Sequence, residues 1–527
     1  MQAVARGRGR VKSIPLNCLR ILRMEFPVSP EPLARRDILR FGGAALTLAS
    51  HAWLSAVADA QTAASGVANR ENDGGRATVA EDVARWIVDL RYEELPVNVI
   101  ARAQRVLLDT AGCALGAIGA EPVQIAQQVV AMQGGNPQAT ILGIGRKVSC
   151  EQAAFLNAMA LRYLDYNDYV ALGRPNHGSL NVAPALAVAE MQGLSGKDLL
   201  LGLVAGYELE VRLRDAIARN ERGGWDVTSI GAQYASAATA GKLLGLDRTQ
   251  LANALAIAGS NANTLAEVRQ GGEMTPAKGS AEPMAVRNGV FAALLARAGL
   301  TYPLTIFEGK NGFAKAVSGS FDDAILRQRS GDFQILKNCT KLWPCAGTVQ
   351  APIAAALEIA RRHLDPEEIS TVTVELSDFA YKQQVAFPDE IKRREQADHS
   401  VPYATARALL DGEVRVSDFD EARFKDPRAL ALMRKLMLRS DPSLSSADLG
   451  ANLEVLLRNG SVLTASIPIP PGSMLNPAGD SELTTKFVAL SEAVLGRERT
   501  ERAIEIVLTV DMAPDLGGLV NALCPLS

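Results

Sequence analysis

A polar break between two apolar helical patterns holds the residues of this chain that are best suited to proton transfer. Apolar residues recur at helical spacing over 156–164, and a new helix is predicted to start near residue 180. Asp165 and Tyr169 are four residues apart and project from one side if the first helix continues. His177 lies on the loop before the second helix, so a carboxylate and an imidazole meet across a helix–loop–helix and form a proton-transfer pair.

The alternative interpretation of this segment is purely structural. An aspartate at a helix end is usually a cap, and a lone loop histidine is usually solvated. Scarcity favours the catalytic interpretation, because the whole chain has 4 histidines and one of them lies in this polar cluster.

The composition is that of an ordinary globular protein. At 527 residues the chain is too long for one simple core, which suggests two domains. Alanine and leucine dominate, so the fold should be mainly α. A net charge of -3 and an aromatic content of 5% argue against basic surfaces or stacking platforms, so no nucleic-acid partner is predicted.

The N-terminus has the features of a twin-arginine export signal. Arg35 and Arg36 precede a short apolar run and a small-residue cleavage sequence that ends at Ala60. We therefore predict a signal peptide over 1–60, a polar linker over 61–78 and a periplasmic mature protein without a membrane-spanning segment. The alternatives are a basic amphipathic helix or a membrane anchor, but the apolar run is short and rich in glycine and alanine. If the leader does not function, the protein stays cytoplasmic.

Motifs for metals and cofactors are missing from the sequence. It contains no H-E-x-x-H pair, no C-x-x-C, no G-x-S-x-G elbow and no phosphate-binding glycine loop. The chain is therefore predicted to work without a cofactor and without a metal ion.

The polar break and its flanks read NAMALRYLDYNDY and PNHGSLNVAPALAVAE. These segments resemble the signature of the MmgE/PrpD family, which includes 2-methylcitrate dehydratases, cis-aconitate decarboxylases and an iminodisuccinate epimerase. Positions 164–168 and 177–179 match its pattern closely. Gly178 replaces the usual proline, and Arg162 or Tyr163 stands near the family's first histidine.

Further segments resemble the same family in the same order along the chain. Lys278 lies in a segment rich in Gly, Pro and Ser, and Lys341 begins KLWPC. His399 and Tyr403 lie in ADHSVPY, and NPAGDSELTTKF follows near the end. The resemblance thus covers nearly all of the chain from residue 79.

The resemblance implies a fold with two parts. A large all-helical domain is expected over 79–335 and a smaller α+β domain over 336–512, with the last helix returning to the helical domain. The site is expected in the cleft between them, and the protein is expected to form a homodimer.

The resemblance also implies an activity and a set of site residues. The protein is expected to be a cofactor-free lyase that abstracts an α-proton from a small polycarboxylate, most similar to a 2-methylcitrate dehydratase. Asp165 and His177 are expected as the acid–base pair, with Tyr403 and His399 as further catalytic donors. The expected substrate-binding residues are Lys278, Lys341, Tyr169 and Ser179.

Other activities remain open at this point. A decarboxylase or an epimerase would begin with the same carbanion-like species. A non-catalytic exported carboxylate-binding protein is the alternative from another class. It is supported by two departures from the family, near Val227 and at Gln350, where the family has histidines.

Overall fold

The structure is a computed structural model that describes residues 76–170, 176–217, 223–269, 274–276, 278–385 and 390–525. The predicted signal peptide over 1–60 and all but the end of the predicted linker lie outside these ranges. All the described residues belong to one compact unit. The first helix begins at Val79, where the Thr78 side chain accepts a hydrogen bond from the backbone N–H of Glu81 as an N-cap.

Helices make up most of the described chain. The larger helical part contains α1 (Val79–Asp89), α2 (Val97–Ala117), α3 (Glu121–Gln133), α4 (Cys150–Tyr163), α5 (Val182–Gln192), α6 (Gly196–Ala216), α7 (Val227–Leu243), α8 (Arg248–Ser260), α9 (Lys278–Arg297) and α10 (Ala324–Arg327). The α+β part contains α11 (Gln350–Ala360), α12 (Asp378–Gln384), α13 (Arg394–Ala397), α14 (Val401–Asp411), α15 (Glu421–Phe424) and α16 (Pro427–Met433). The chain then continues through α17 (Asp480–Leu495), α18 (Arg497–Leu508) and α19 (Gly517–Ala522). The prediction of a mainly α fold is confirmed.

The strands of the described residues form small sheets. Two short pairs are β1 (Ala139–Thr140) with β2 (Lys147–Val148), and β3 (Tyr169–Val170) with β4 (Asn338–Cys339). The larger sheet has the order β6–β5–β7–β8 and is built from β5 (Ile369–Leu376), β6 (Leu436–Ser440), β7 (Ala451–Leu457) and β8 (Val462–Ile467). Strand β5 runs parallel to β6 and antiparallel to β7.

The helical part is held together by close packing at small residues. A side chain at Gly289 of α9 would place its Cβ 2.4 Å from the Gln233 carbonyl oxygen of α7, so glycine lets these helices approach. Helix α17 packs on α2 in the same way, since a Cβ at Gly116 would lie 2.7 Å from the Leu490 side chain. Helix α17 thereby joins the helical core, to which its buried Phe487 belongs.

The larger sheet supplies the second hydrophobic core. Val372, Val374 and Leu376 of β5 are fully buried there, as alternating apolar residues on one strand face should be. Strands β7 and β8 form a hairpin at Asn459-Gly460, a residue pair that favours such turns, and Gly460 has the positive φ, 85°, that the turn requires.

Among the described residues, the two largest hydrophobic cores lie one in the helical part and one in the α+β part. The domain limits 79–335 and 336–512 stay predictions. Within the described part of the chain, no single helix has the length and apolar composition needed to cross a membrane. Helices α2 and α3 meet that test only as a pair, with a bend of 87° between them.

Candidate active site

Asp165 lies just beyond helix α4, at a sharp turn of the chain. Its φ is 50°, which is uncommon for a residue other than glycine. Strand β3 follows and pairs with β4 in the register Tyr169–Cys339. This pairing brings the segment that carries Asp165 beside the segment that leads to Lys341.

Lys486 of α17 links these two segments by hydrogen bonds. Its ammonium donates to the carbonyl oxygens of Tyr166, at 2.7 Å, and Lys341, at 3.0 Å. Its charge is balanced by Asp109 of α2, whose carboxylate lies 2.6 Å away. A buried ion pair between α2 and α17 therefore positions the backbone on both sides of the site.

The Asp165 carboxylate is buried among cations. Its Oδ1 lies 3.1 Å from Nζ of Lys341 and 2.5 Å from Nη1 of Arg162. Its Oδ2 lies 3.4 Å from Nζ of Lys278 and 3.4 Å from Nε2 of His399. Burial alone would raise the pKa of Asp165, but Lys278, Lys341 and Arg162 outweigh burial and hold that pKa well below its ordinary value.

A second buried carboxylate, Glu282 of α9, continues this charge cluster. Its Oε2 lies 2.6 Å from Nε of Arg162, and its Oε1 lies 3.1 Å from Nη2 of Arg269. Burial opposes ionisation, yet these two arginines keep the pKa of Glu282 below its ordinary value. Arg269 also contacts Asp226 at 2.9 Å. Buried charges of alternating sign thus extend from Asp226 to the lysines at Asp165.

His177 faces Glu282 rather than Asp165. Its Nδ1 lies 2.8 Å from the carbonyl oxygen of Asp168, which can only accept, so Nδ1 carries the proton and Nε2 has the lone pair. Nε2 lies 4.0 Å from Oε1 of Glu282. Burial, followed by the charge of Arg162, lowers the pKa of His177 to about 3. The predicted direct pairing of His177 with Asp165 is corrected, because the carboxylate is engaged by cations and the imidazole is held by a neighbouring carbonyl.

His399 and Lys278 meet at the other oxygen of Asp165. Nζ of Lys278 lies 2.8 Å from Nε2 of His399, and Nδ1 of His399 contacts the carboxylate of Asp398. Burial and the charge of Lys278 lower the pKa of His399, and burial lowers the pKa of Lys278, with Asp165 opposing. The structure therefore brings Asp165, Lys278, Lys341 and His399 into one cluster.

The same cluster contains side chains of the types that bind metal ions. Ligand atoms of Asp165, Asp398 and His399 lie within 4.8 Å of one another. The Lys278 ammonium, however, lies 2.8 Å from Nε2 of His399 and 3.4 Å from Oδ2 of Asp165. A lysine cation thus stands where a metal would bind, and this donor set does not fit a metal ion.

The structure places both predicted tyrosines in packing positions. The Tyr403 hydroxyl donates to the carbonyl oxygen of Asp418, and its ring packs edge-on against Phe419 with centroids 5.9 Å apart. Its expected role as a catalytic donor is corrected, because that proton is engaged in the core of the α+β part. Tyr169 is likewise buried, in a small cluster with Cys339 and Leu449.

Ser179 supports the site through a hydrogen bond of its backbone rather than by lining the site. Its backbone N–H donates to Oδ1 of Asp168 at 3.0 Å. The Tyr207 hydroxyl also donates to Asp168, and a Cβ at Gly178 would lie 2.2 Å from the Tyr207 ring. Glycine in place of the family's usual proline is therefore what lets Tyr207 reach Asp168.

Three residues of the site were missed by sequence reasoning: Arg162, Glu282 and Asp398. Glu282 follows Lys278 by four residues on helix α9, so these two side chains share a helix face. Arg162 lies in the last turn of α4, three residues before Asp165, which is beyond the helix. Asp398 directly precedes His399. Helical spacing was therefore a usable signal for Glu282 alone.

Gln350, one of the departures from the family pattern, has a structural role. Its amide oxygen accepts from the backbone N–H of Leu342 at 3.0 Å, and its amide nitrogen donates to the carbonyl oxygen of Trp343 at 2.9 Å. Gln350 thereby fixes the loop that follows Lys341.

Comparison with known proteins matches this chain to one family. The chain matches the MmgE/PrpD N-terminal domain over 81–325 and the MmgE/PrpD C-terminal domain over 343–512. It is 28% identical to the cis-aconitate decarboxylase of Homo sapiens, over 85% of this chain and 94% of that protein. It is 26% identical to the cis-aconitate decarboxylase-like protein oryM of Aspergillus oryzae, over 84% and 96%. It is 25% identical to the 2-methylcitrate dehydratase of Salmonella typhi, over 70% and 80%. Since the two domain matches cover most of its length, the chain belongs to the MmgE/PrpD family.

Proposed function

We propose that this protein is a lyase that acts on a small polycarboxylate through a carbanion-like intermediate, without a cofactor. The observation that carries the proposal is the group of buried cations, Arg162, Lys278 and Lys341, within 3.4 Å of the Asp165 carboxylate. Cations fixed in a water-poor site bind substrate carboxylates and stabilise negative charge that develops next to them.

The roles of the individual residues follow from their protonation. Asp165, with its low pKa, is a weak base and serves to hold the two lysines in place. A bound polyanion raises the pKa values of nearby cationic acids. His177 then becomes a stronger base through its Nε2 lone pair, and Lys278 stays protonated and serves as the acid.

Decarboxylation is the first candidate reaction. The bond between the substrate carbon and one carboxylate breaks, CO2 leaves, and the remaining electron pair takes a proton from Lys278. No oxidant or reductant is needed. The support is that relatives named cis-aconitate decarboxylase align over 85% or 86% of this chain.

Dehydration is the second candidate and is the reaction expected from the sequence. His177 would take the α-proton, and Lys278 would protonate the hydroxyl group that leaves as water. Its support is the alignment with two 2-methylcitrate dehydratases over 70% and 73% of the chain. Epimerisation would follow if the same carbanion were reprotonated from its other face.

A substrate panel separates these candidates. The purified protein is given cis-aconitate and 2-methylcitrate in turn, while CO2 release and formation of the unsaturated acid are measured. CO2 from cis-aconitate identifies the decarboxylase, and water loss from 2-methylcitrate identifies the hydro-lyase. Tight binding of either acid without turnover would instead favour the carboxylate-binding protein.

We also propose export to the periplasm. The support is the sequence of Arg35-Arg36, the apolar run and the small residues that end at Ala60. N-terminal sequencing of protein from the cell envelope should then begin at Gln61. An intact leader on a wholly cytoplasmic pool would contradict export.

We propose a homodimer as the working assembly, supported by the family resemblance. Helix α3 also exposes Ile125, Val129 and Met132 on one face, by 53%, 43% and 79%, and exposed apolar stripes of this kind often mark interfaces. Light scattering on the purified protein should give twice the mass of one chain.

A further inference from the structure

Asp398 is a buried carboxylate that directly follows helix α13. Its side chain is 1% exposed and contacts Nδ1 of His399. On its other side the His399 ring meets the ammonium of Lys278, with Nε2 and Nζ 2.8 Å apart. We propose that Asp398 is a positioning residue, whose carboxylate accepts the Nδ1–H of His399 and so turns the Nε2 lone pair of that ring onto the Lys278 ammonium.

The hydrogen bonds allow one proton arrangement for a neutral ring. A carboxylate only accepts and an ammonium only donates, so Nδ1 must carry the ring proton and Nε2 must accept from Lys278. The lowered pKa of His399, due first to burial and then to Lys278, agrees with a neutral ring. Asp398 and Lys278 thus fix the same tautomer from opposite sides.

The backbone around His399 is held without the Asp398 side chain. The His399 carbonyl oxygen accepts from Nε2 of Gln384 at 2.8 Å, and Oε1 of Gln384 accepts from the Val401 N–H at 2.8 Å. The Ser400 hydroxyl caps helix α14 by accepting from the Tyr403 N–H at 3.2 Å. Removing the Asp398 carboxylate should therefore free the imidazole ring without unfolding this segment.

The fixed orientation of the His399 ring also orients the N–H bonds of the Lys278 ammonium. An ammonium has three N–H donors. One is directed at Nε2 of His399, and the ammonium also lies 3.4 Å from Oδ2 of Asp165, as an ion pair. These two neighbours limit the directions of the remaining N–H groups, and the substrate carbon or its leaving group must lie along one of them. This consequence rests on the proposed lyase function, whereas the tautomer of His399 does not.

The tautomer can be tested without any substrate. The full chain is labelled with ¹⁵N-histidine, and Nδ1 and Nε2 are distinguished by long-range ¹H–¹⁵N correlation, with the His399 signals assigned through His399→Gln. The expected result is a neutral Nδ1–H ring in the parent and a mixture of tautomers in Asp398→Ala. An unchanged His399 signal in Asp398→Ala would overturn the proposal.

Turnover of cis-aconitate and of 2-methylcitrate gives the second readout. Asp398→Ala should lower kcat by about 10²-fold, the scale on which misplacing a catalytic group acts, with little change in KM. Asp398→Asn keeps an oxygen that can accept from Nδ1–H and should recover part of that loss. Glu395→Gln, which removes a buried carboxylate three residues earlier in the chain, is the matched control and should behave as the parent does. Equal losses of kcat in all three variants would show a general charge effect and would overturn the proposal. An inactive parent that shows the expected His399 tautomers would count against the lyase function alone.

Discussion

At the scale of single residues, Asp165 is the centre of the site because of the charges around it. Its carboxylate balances Arg162, Lys278 and Lys341, and these contacts lie in a region shielded from water. Ion pairs in such surroundings are costly to break from one side, because the remaining charges stay buried without a partner. The same carboxylate that organises the site therefore also stabilises the fold.

Asp165→Asn should consequently lose both activity and stability. We expect a fall in kcat of about 10²-fold, the scale on which misplacing a catalytic group acts, because Asp165 holds the two lysines in place. We also expect a loss of about 3–5 kcal/mol in the free energy of unfolding, since three cations lose their carboxylate. Urea unfolding and turnover of the active substrate measure the two effects. A fully active variant of unchanged stability would contradict the central place given to Asp165.

Glu210 of α6 should control how stability changes with pH. It is fully buried, and burial, followed by the charge of Asp168, raises the pKa of Glu210 to about 8. In the unfolded chain this group ionises near its ordinary pKa of 4.5. Between these values the folded state holds one more proton than the unfolded state, so this group's contribution to stability falls as pH rises, by about 1.4 kcal/mol per pH unit.

Glu210→Gln should remove this slope. Its free energy of unfolding, measured in urea from pH 5 to pH 8, should exceed that of the parent by a margin that grows with pH. The difference between the two proteins isolates Glu210 from the other titrating groups. A margin that stays constant or shrinks would show that Glu210 is ionised in the fold.

At the scale of elements, the site depends on how α17 returns to α2. Lys486 donates to the carbonyl oxygens of Tyr166 and Lys341 and pairs with Asp109, so one side chain joins three segments.

Lys486→Met would leave Asp109 buried and unpaired and should cost about 3–5 kcal/mol of stability. The double variant Asp109→Asn with Lys486→Met removes both charges and should be more stable than Lys486→Met alone. Thermal and urea unfolding of the three variants test this, and an equally unstable double variant would contradict it.

Several of these elements are marked by local patterns in the sequence. The end of α4 near Asp165, strand β5 and the hairpin at Asn459-Gly460 each carry a periodic or turn signal in a few neighbouring residues. Contacts such as Arg162 with Glu282, 120 residues apart, have no such signal, because charge pairing leaves no periodicity in the chain. Tyr403 illustrates the opposite error. A motif match placed it in the site, whereas its hydroxyl reaches Asp418.

At the scale of the whole molecule, a chain of buried charges spans both parts of the fold. Asp226, Glu282 and Arg162 come from the helical part, whereas Lys341 and His399 come from the segments that lead into and through the α+β part. The proposed activity should therefore need both parts of the fold and should not need a metal ion, because the Lys278 ammonium occupies the place of a cation. Exhaustive treatment with EDTA should leave turnover unchanged, and loss of activity that a divalent ion restores would refute this.

The most direct test of the proposed chemistry is exchange of a carbon-bound proton with solvent. The protein is incubated in D2O with cis-aconitate, 2-methylcitrate or a substituted succinate, and deuterium next to a carboxylate is followed by ¹H NMR. We predict that the parent introduces deuterium into at least one of these acids or its product. His177→Ala and Lys278→Ala should slow this by about 10²-fold or more, whereas His363→Asn, at an exposed histidine, should leave it unchanged. A parent protein that binds these acids but neither introduces deuterium nor converts them to product would contradict the lyase function.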